Sequence, residues 1–235
     1  MRLNKSNFKK ENKQKEQKKM KIETRRYRLV GTTPILGSRP ANPEIHSKYV
    51  ASKAADAQRQ ADEEAMLPGT PELEEALKDI KEAGLTVFLR NGRNEIVIPS
   101  YVIKGFFKSA FVTLKDQFQI AGAKGKVDNL IFIQPEYIPI VDGHDKAQKE
   151  CDGLCERSLR AETMQGPRVT LAASEEIDPP WSMTIEVTLV ENAGTGKSKA
   201  VTFTEIEDAL NYGSLKGLGQ WRNAGYGSFK WERVA

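Results

Sequence analysis

Near its end the chain reads GSLKGLGQWRNAGYGSFKWERV (213–234), with five glycines from Gly213 to Gly227. On one side lies a helix-forming run, TEIEDALNY (204–212), opened by Thr204 with Glu207 placed for a capping box. On the other lies SFKWERV (228–234), which predicts a strand. A glycine-rich stretch held between a helix and a strand is a loop with a required shape, so the fold must bring a helix and a sheet together at this point. Glycine admits backbone angles and close approaches that side chains forbid. Successive N–H groups in such a loop can form an anion-binding concavity. Arg222 and Lys216 would add charge-assisted contacts to phosphate, and Trp221 or Tyr226 could stack on a base. Tyr226 and Phe229, alternating with small residues into the last strand, read as core or sheet positions, and Arg222 as the ligand contact.

The preceding chain supplies the other elements. ETRRYRLVGTTPIL (23–36) alternates charged and apolar residues, as a half-buried strand does, before Pro34, Pro40 and Pro43 break it. EIHSKYVASKAADAQRQADEEAM (44–66) predicts a polar helix with no strong apolar stripe, an insertion on a surface or against a partner. LPGTPELEEALKDIKEAG (67–84) predicts a second helix, with Thr70 as cap, Pro71 in the first turn and Gly84 as stop. TVFLRNGRNEIVIP (86–99) predicts a hairpin turning tightly at Asn91-Gly92. Ser100 then caps the apolar helix SYVIKGFFKSAFVTLKDQF, and GAKGKVDN (122–129) is a loop. LIFIQPEYIPI (130–140) is a strand pair or strand bent at Pro135. Residues 142–168 read as an irregular polar insertion. RVTLAASEEI (168–177) and SMTIEVTLV (182–190) are strands parted by Pro179-Pro180, and NAGTGKSKA (192–200) is a loop. This order predicts an α+β fold of the ferredoxin-like (RRM-like) kind, an antiparallel sheet with helices on one face and helical and loop insertions.

Charge divides the chain unevenly. Residues 1–26 hold 11 Lys/Arg and 3 Glu, a net of +8, while the whole chain is only +4. That segment is too poor in apolar residues to build a core and reads as a disordered basic leader. It is either a nucleic-acid arm or a translated leader ahead of an alternative start at Met20. The remainder, 27–235, reads as a single domain with a net charge of −4. A nucleic-acid site there must be a local patch, not a global field. No apolar run approaches the ~20 residues that span a bilayer, and the lysine-rich start is no signal peptide. With two cysteines only, the expectation is a cytoplasmic protein without membrane contact.

Catalytic and metal motifs are weak. GTGKS (194–198) lacks the upstream glycine of a phosphate loop, which would fall at Glu191. His144, Cys151 and Cys155 are the candidate metal ligands, with Asp142 and Asp145 nearby. Their C-x₃-C spacing fits a zinc knuckle poorly, and a second pair is missing. No cofactor is implied. The only other histidine, His46, falls at the start of the polar helix.

Several segments together carry a family resemblance. GLGQWRNAGYGSFKW (217–231) resembles the C-terminal glycine-rich loop of the RAMP superfamily, the CRISPR-associated RNA-binding proteins. LVGTTPILGS (29–38) resembles the family's first strand and following loop. EIVIPSYVIKGFFKSAF (95–111) resembles its strand-to-helix segment, and LAASEEIDPPWSMTIEVTLV (171–190) its proline-broken strand pair. RSLRAETMQGPR (157–168) stands where backbone subunits carry an Arg-containing segment. The resemblance implies a ferredoxin-like core. It also implies a non-catalytic subunit that binds single-stranded RNA without sequence preference and self-associates along it, with other effector subunits as further partners. RNA versus DNA stays open. Carried onto this chain, the contacts would come from Ser100, Lys104 and Lys108 at a helix start. Lys216, Gly217, Gly219, Trp221, Arg222, Gly225 and Gly227 would form the opposing loop, with Arg157, Arg160 and Arg168 as a second set. Ser100-Tyr101-Val102 departs from the usual paired small residues. The loop after the first strand has no Asp, only Glu44 at its end, where cleaving members carry a catalytic acid. Two alternatives follow: a guide-processing endoribonuclease using His46, or a stand-alone viral or mobile-element relative acting as a structural interaction protein.

Overall fold

In IETRRYRLVG every second residue from Tyr27 is apolar or small, and the strand it forms, β1 (Ile22–Gly31), buries Tyr27 and Leu29 completely. The structure, a computed structural model, describes residues 21–41, 85–163, 166–191 and 198–234, with the backbone alone for 158–163 and 166–171. The helices expected over 44–66 and 67–84 lie outside the described residues, as does most of the 192–200 loop. The basic leader does not reach residue 26. Ile22 to Arg26 pair with Val190 to Glu186 across a ladder, so backbone hydrogen bonds order a stretch that hydrophobicity alone would not.

After β1 come β2 (Ile35–Leu36), β3 (Arg39–Pro40), β4 (Leu85–Val87), β5 (Leu89–Arg90) and β6 (Ile96–Pro99). Helix α1 (Ser100–Thr113) follows, then the single turn α2 (Lys115–Phe118) and α3 (Ala123–Leu130). Strands β7 (Ile131–Gln134) and β8 (Tyr137–Pro139) precede the long pair β9 (Gly153–Thr163) and β10 (Gly166–Ile177). The chain ends with β11 (Ser182–Val190), α4 (Phe203–Lys216) and β12 (Phe229–Val234).

The central sheet has the order β12-β1-β11-β7, and every neighbour is antiparallel. Its elements and the two long helices follow one another along the chain as β1, α1, β7, β11, α4, β12. One face buries Tyr27, Leu29, Met183, Ile185, Val187 and Leu189. Against it α1 sets Ile103, Phe106, Phe107 and Phe111, and α4 sets Phe203, Ile206 and Leu210. Each such side chain contributes roughly 1.5–3 kcal/mol on burial. Phe106 meets Phe107 and Phe229 edge to face, at 5.5 and 5.7 Å between centroids, tying α1 to β12. The opposite face is polar, with Thr24, Arg26 and Arg28 beside Thr188, Glu186 and Thr184. A second sheet runs β2-β10-β4-β3 with β9 beside β10, and a third runs β5-β6-β8. The fold is therefore mixed α+β, as expected. Among the described residues no helix is long and apolar enough to cross a membrane.

Four further local expectations change ahead of the last helix. The 142–168 insertion is not irregular throughout: β9 and β10 form a hairpin paired from Gly153–Glu176 to Thr163–Gly166. Its pairing is carried by the ladder, and Leu154 and Leu159 are the only large apolar residues of β9, so no apolar alternation announced it. The hairpin at 89–97 turns on Asn94 (φ 60°), not Gly92. The Asn91 side-chain oxygen accepts from the N–H groups of Arg93 and Glu95, at 2.9 and 3.0 Å, which favours this longer turn. Residues 123–130 are the helix α3, with Val127 fully buried beneath it despite Gly125. Finally, Ser100 does not cap α1. Pro99 holds the cap position, and no side chain bonds to that helix start.

Candidate nucleic-acid interface

Helix α4 runs four residues beyond Tyr212, because Gly213 is helical and faces Phe229. A Cβ at Gly213 would come within 2.2 Å of the Phe229 ring. The loop proper begins at Gly217 (φ 71°). Leu218 is buried, and its N–H donates to the Gly227 carbonyl at 2.9 Å. The Gly227 N–H donates to the Pro34 carbonyl at 2.7 Å, and Thr33 Oγ1 donates to the Gly225 carbonyl at 2.8 Å. The loop is thus sewn onto the turn that follows β1.

Most of its glycines are explained inside the loop. A Cβ at Gly217 would lie 2.2 Å from the Tyr226 carbonyl oxygen, and one at Gly227 2.0 Å from that of Leu218. The two ends of the loop cross backbone to backbone, so these glycines serve that crossing. Gly219 (φ 77°) would bring a Cβ within 3.3 Å of the Leu36 carbonyl. Gly225 alone among the four faces open space, with no atom within 4 Å of a Cβ.

Between the crossings, Trp221 adopts a left-handed conformation (φ 55°), and a short 3₁₀ turn, Arg222–Ala224, follows. Two of the expected residues meet here. The Arg157 guanidinium, on β9, lies 4.1 Å from the Trp221 ring centroid, a cation–π contact. Arg157 Nη2 also donates to Gln220 Oε1 at 2.9 Å. The same Gln220 oxygen lies 3.3 Å from Ser174 Oγ and 3.4 Å from Thr86 Oγ1. Gln220 pins the loop to β10 and β4, a role invisible in sequence because its partners come from distant segments. Tyr226 stands beside Trp221, at 5.9 Å between ring centroids, with its hydroxyl 3.3 Å from Cys155 Sγ. That hydrogen bond and burial push the phenol up to about 12.

Arg222 is half-buried, and among the described residues no hydrogen bond or ion pair holds its guanidinium. Burial lowers its pKa, yet an arginine stays protonated. Lys216 Nζ donates to the neutral Asn223 Oδ1 at 2.7 Å.

The remaining candidates are scattered. Lys104 Nζ donates to the Asp128 carbonyl at 2.8 Å, and Lys108 pairs with the Asp128 carboxylate. Both lysines thus reach α3. Ser100 borders a cavity of about 630 Å³ with Arg26, Gln134 and Glu186. Arg160 and Arg168 sit at neighbouring register positions of the β9–β10 hairpin, while His46 and Glu44 lie outside the described residues. His144 belongs to a turn in which its N–H and that of Lys146 donate to Asp142 Oδ1, holding that carboxyl below its usual range. Cys151 and Cys155 are free thiols. Burial pushes the Cys151 thiol up. Among the described residues no three His, Cys, Asp or Glu side chains gather as a metal site. No family model and no curated protein sequence matches the chain.

Proposed function

We propose that this protein is a non-catalytic, single-stranded nucleic-acid-binding subunit of RAMP type, which grips the phosphate backbone with its 217–227 loop and self-associates along the strand. The chain order β1, α1, β7, β11, α4, β12 with spatial order β12-β1-β11-β7 supports a ferredoxin-like (RRM-like) core. The observation that carries the proposal is Arg222, a half-buried cation without a counter-charge among the described residues, presented by a loop whose backbone is fixed at both ends. The planar guanidinium presents paired N–H donors that match phosphate oxygens, and its backbone is already placed by the loop. RNA is the favoured strand by family resemblance, and the cytoplasm the favoured compartment, where free thiols such as Cys151 and Cys155 persist.

The test is fluorescence anisotropy with a labelled single-stranded RNA and its DNA counterpart, across salt concentrations. Arg222→Ala should weaken binding about tenfold and reduce the salt slope by ~0.7, one phosphate contact on a single strand. Equal affinity and slope in Arg222→Ala and the unaltered protein would overturn the assignment of the site.

A further inference from the structure

Away from the loop, a pocket of about 230 Å³ opens at the junction of β6, β8 and α1. Its floor is apolar, built from Phe88, Val97 and Ile98, all buried. Its rim is not: Tyr101 is 72 % exposed and Tyr137 49 % exposed, and Arg39 stands beside them, also exposed. Among the described residues none of these three side chains makes a hydrogen bond, an ion pair or a ring contact. Exposing two tyrosines around an apolar floor leaves large aromatic surface in water, a cost that a bound partner removes.

The lining selects the occupant. It contains one cation and no carboxylate, and the first turn of α1, which starts at the pocket edge, holds no acidic residue. A ligand that is flat and apolar in one part and anionic in another matches both features. The volume lies below the ~300–1,000 Å³ of sites for drug-sized molecules and suits one ring system. We infer that Tyr101 and Tyr137 form a stacking slot for a single unpaired nucleobase of the bound strand, with Arg39 receiving its phosphate. The inference rests on the strand-binding reading above and adds a second contact point, on the base instead of the backbone.

Two strands of equal length, one intact and one carrying abasic sites, separate base contacts from phosphate contacts. Tyr101→Ser and Tyr137→Ser should each weaken binding of the intact strand about tenfold, the order expected for one stacked base. Binding of the abasic strand should not change, and Tyr101→Phe, which keeps the ring, should bind like the unaltered protein. Both tyrosines are exposed, so the serine variants should retain their unfolding temperatures. Serine variants that bind the intact strand normally, while Arg222→Ala is impaired, would overturn the slot and leave the loop standing. Serine variants that bind normally but lose self-association by analytical ultracentrifugation would reassign the pocket to a second copy of the chain, overturning the base reading. An unaltered protein that binds neither strand would overturn both proposals.

Discussion

Gly225 and Gly227 lie two residues apart and share positive φ angles, 88° and 72°, yet they answer to different neighbours. An alanine at 225 meets open space, whereas one at 227 would press on the Leu218 carbonyl from 2.0 Å. Left-handed backbone alone costs an L-residue ~1–2 kcal/mol. Displacing packed backbone adds ~1–3 kcal/mol. Gly225→Ala should therefore lower unfolding stability by about 1 kcal/mol and Gly227→Ala by about 3 kcal/mol. Urea denaturation of both measures the gap, and equal losses would show that the crossing at Gly227 relaxes freely. The need for glycine was legible in sequence, but its cause was not. Close approach to a ligand and close approach to the chain's own carbonyls demand the same residue, and only the fold says which atom stands opposite. For the same reason Gly219→Val is a poor probe of ligand contact, since its φ of 77° strains the loop whatever binds.

At the scale of the element, α4 shows how local signals can tie and tertiary contacts break the tie. The run VTFTEIE (201–207) offers two capping boxes, Thr202 with Glu205 and Thr204 with Glu207. The first forms: Thr202 Oγ1 accepts from the Thr204 N–H at 3.2 Å, and the Thr202 N–H donates to Glu205 Oε2 at 2.8 Å. Glu207 is taken by β1, where its Oε1 accepts from Arg25 Nη1 and the Tyr27 hydroxyl, each at 2.9 Å. Starting at Phe203 also buries that ring beneath the Arg25 guanidinium, 4.2 Å away. Thr202→Ala should then cost about 1 kcal/mol of stability, with Thr204→Ala close to neutral. Chemical denaturation showing the reverse order would move the helix start back to Thr204. The β9 strand failed from the opposite side. Alternation reports burial of one face, and a hairpin ordered by its own ladder leaves no such trace, so only the pairing partner β10, with its apolar Val169, Leu171 and Ile177, was legible.

For the whole molecule, the succession of strands and helices was legible because prolines, glycines and apolar runs punctuate it, and it suffices for the α+β class. The electrostatic layout was only half legible. The leader's excess of lysine is plain, but nothing in sequence showed that Asp128 would occupy both Lys104 and Lys108. With those two engaged, the loop cations carry more of the proposed binding, and the leader becomes their main competitor. Residues 1–20 contain eight Lys/Arg and two Glu, and β1 begins only at Ile22, so a chain shortened to start at Lys21 keeps the whole central sheet. Leader cations act through screened, sequence-independent attraction, each phosphate neutralised adding ~0.7 to the salt slope on a single strand. Shortening should thus lower the affinity and the slope of the protein and of Arg222→Ala alike, while the roughly tenfold ratio between them persists, because the loop contact is local. The anisotropy titration above, repeated on the shortened pair at two salt concentrations, reads that ratio directly. A ratio that falls to one would mean that the Arg222 effect depended on the leader, and the strand-binding site would have to be sought in residues 1–20.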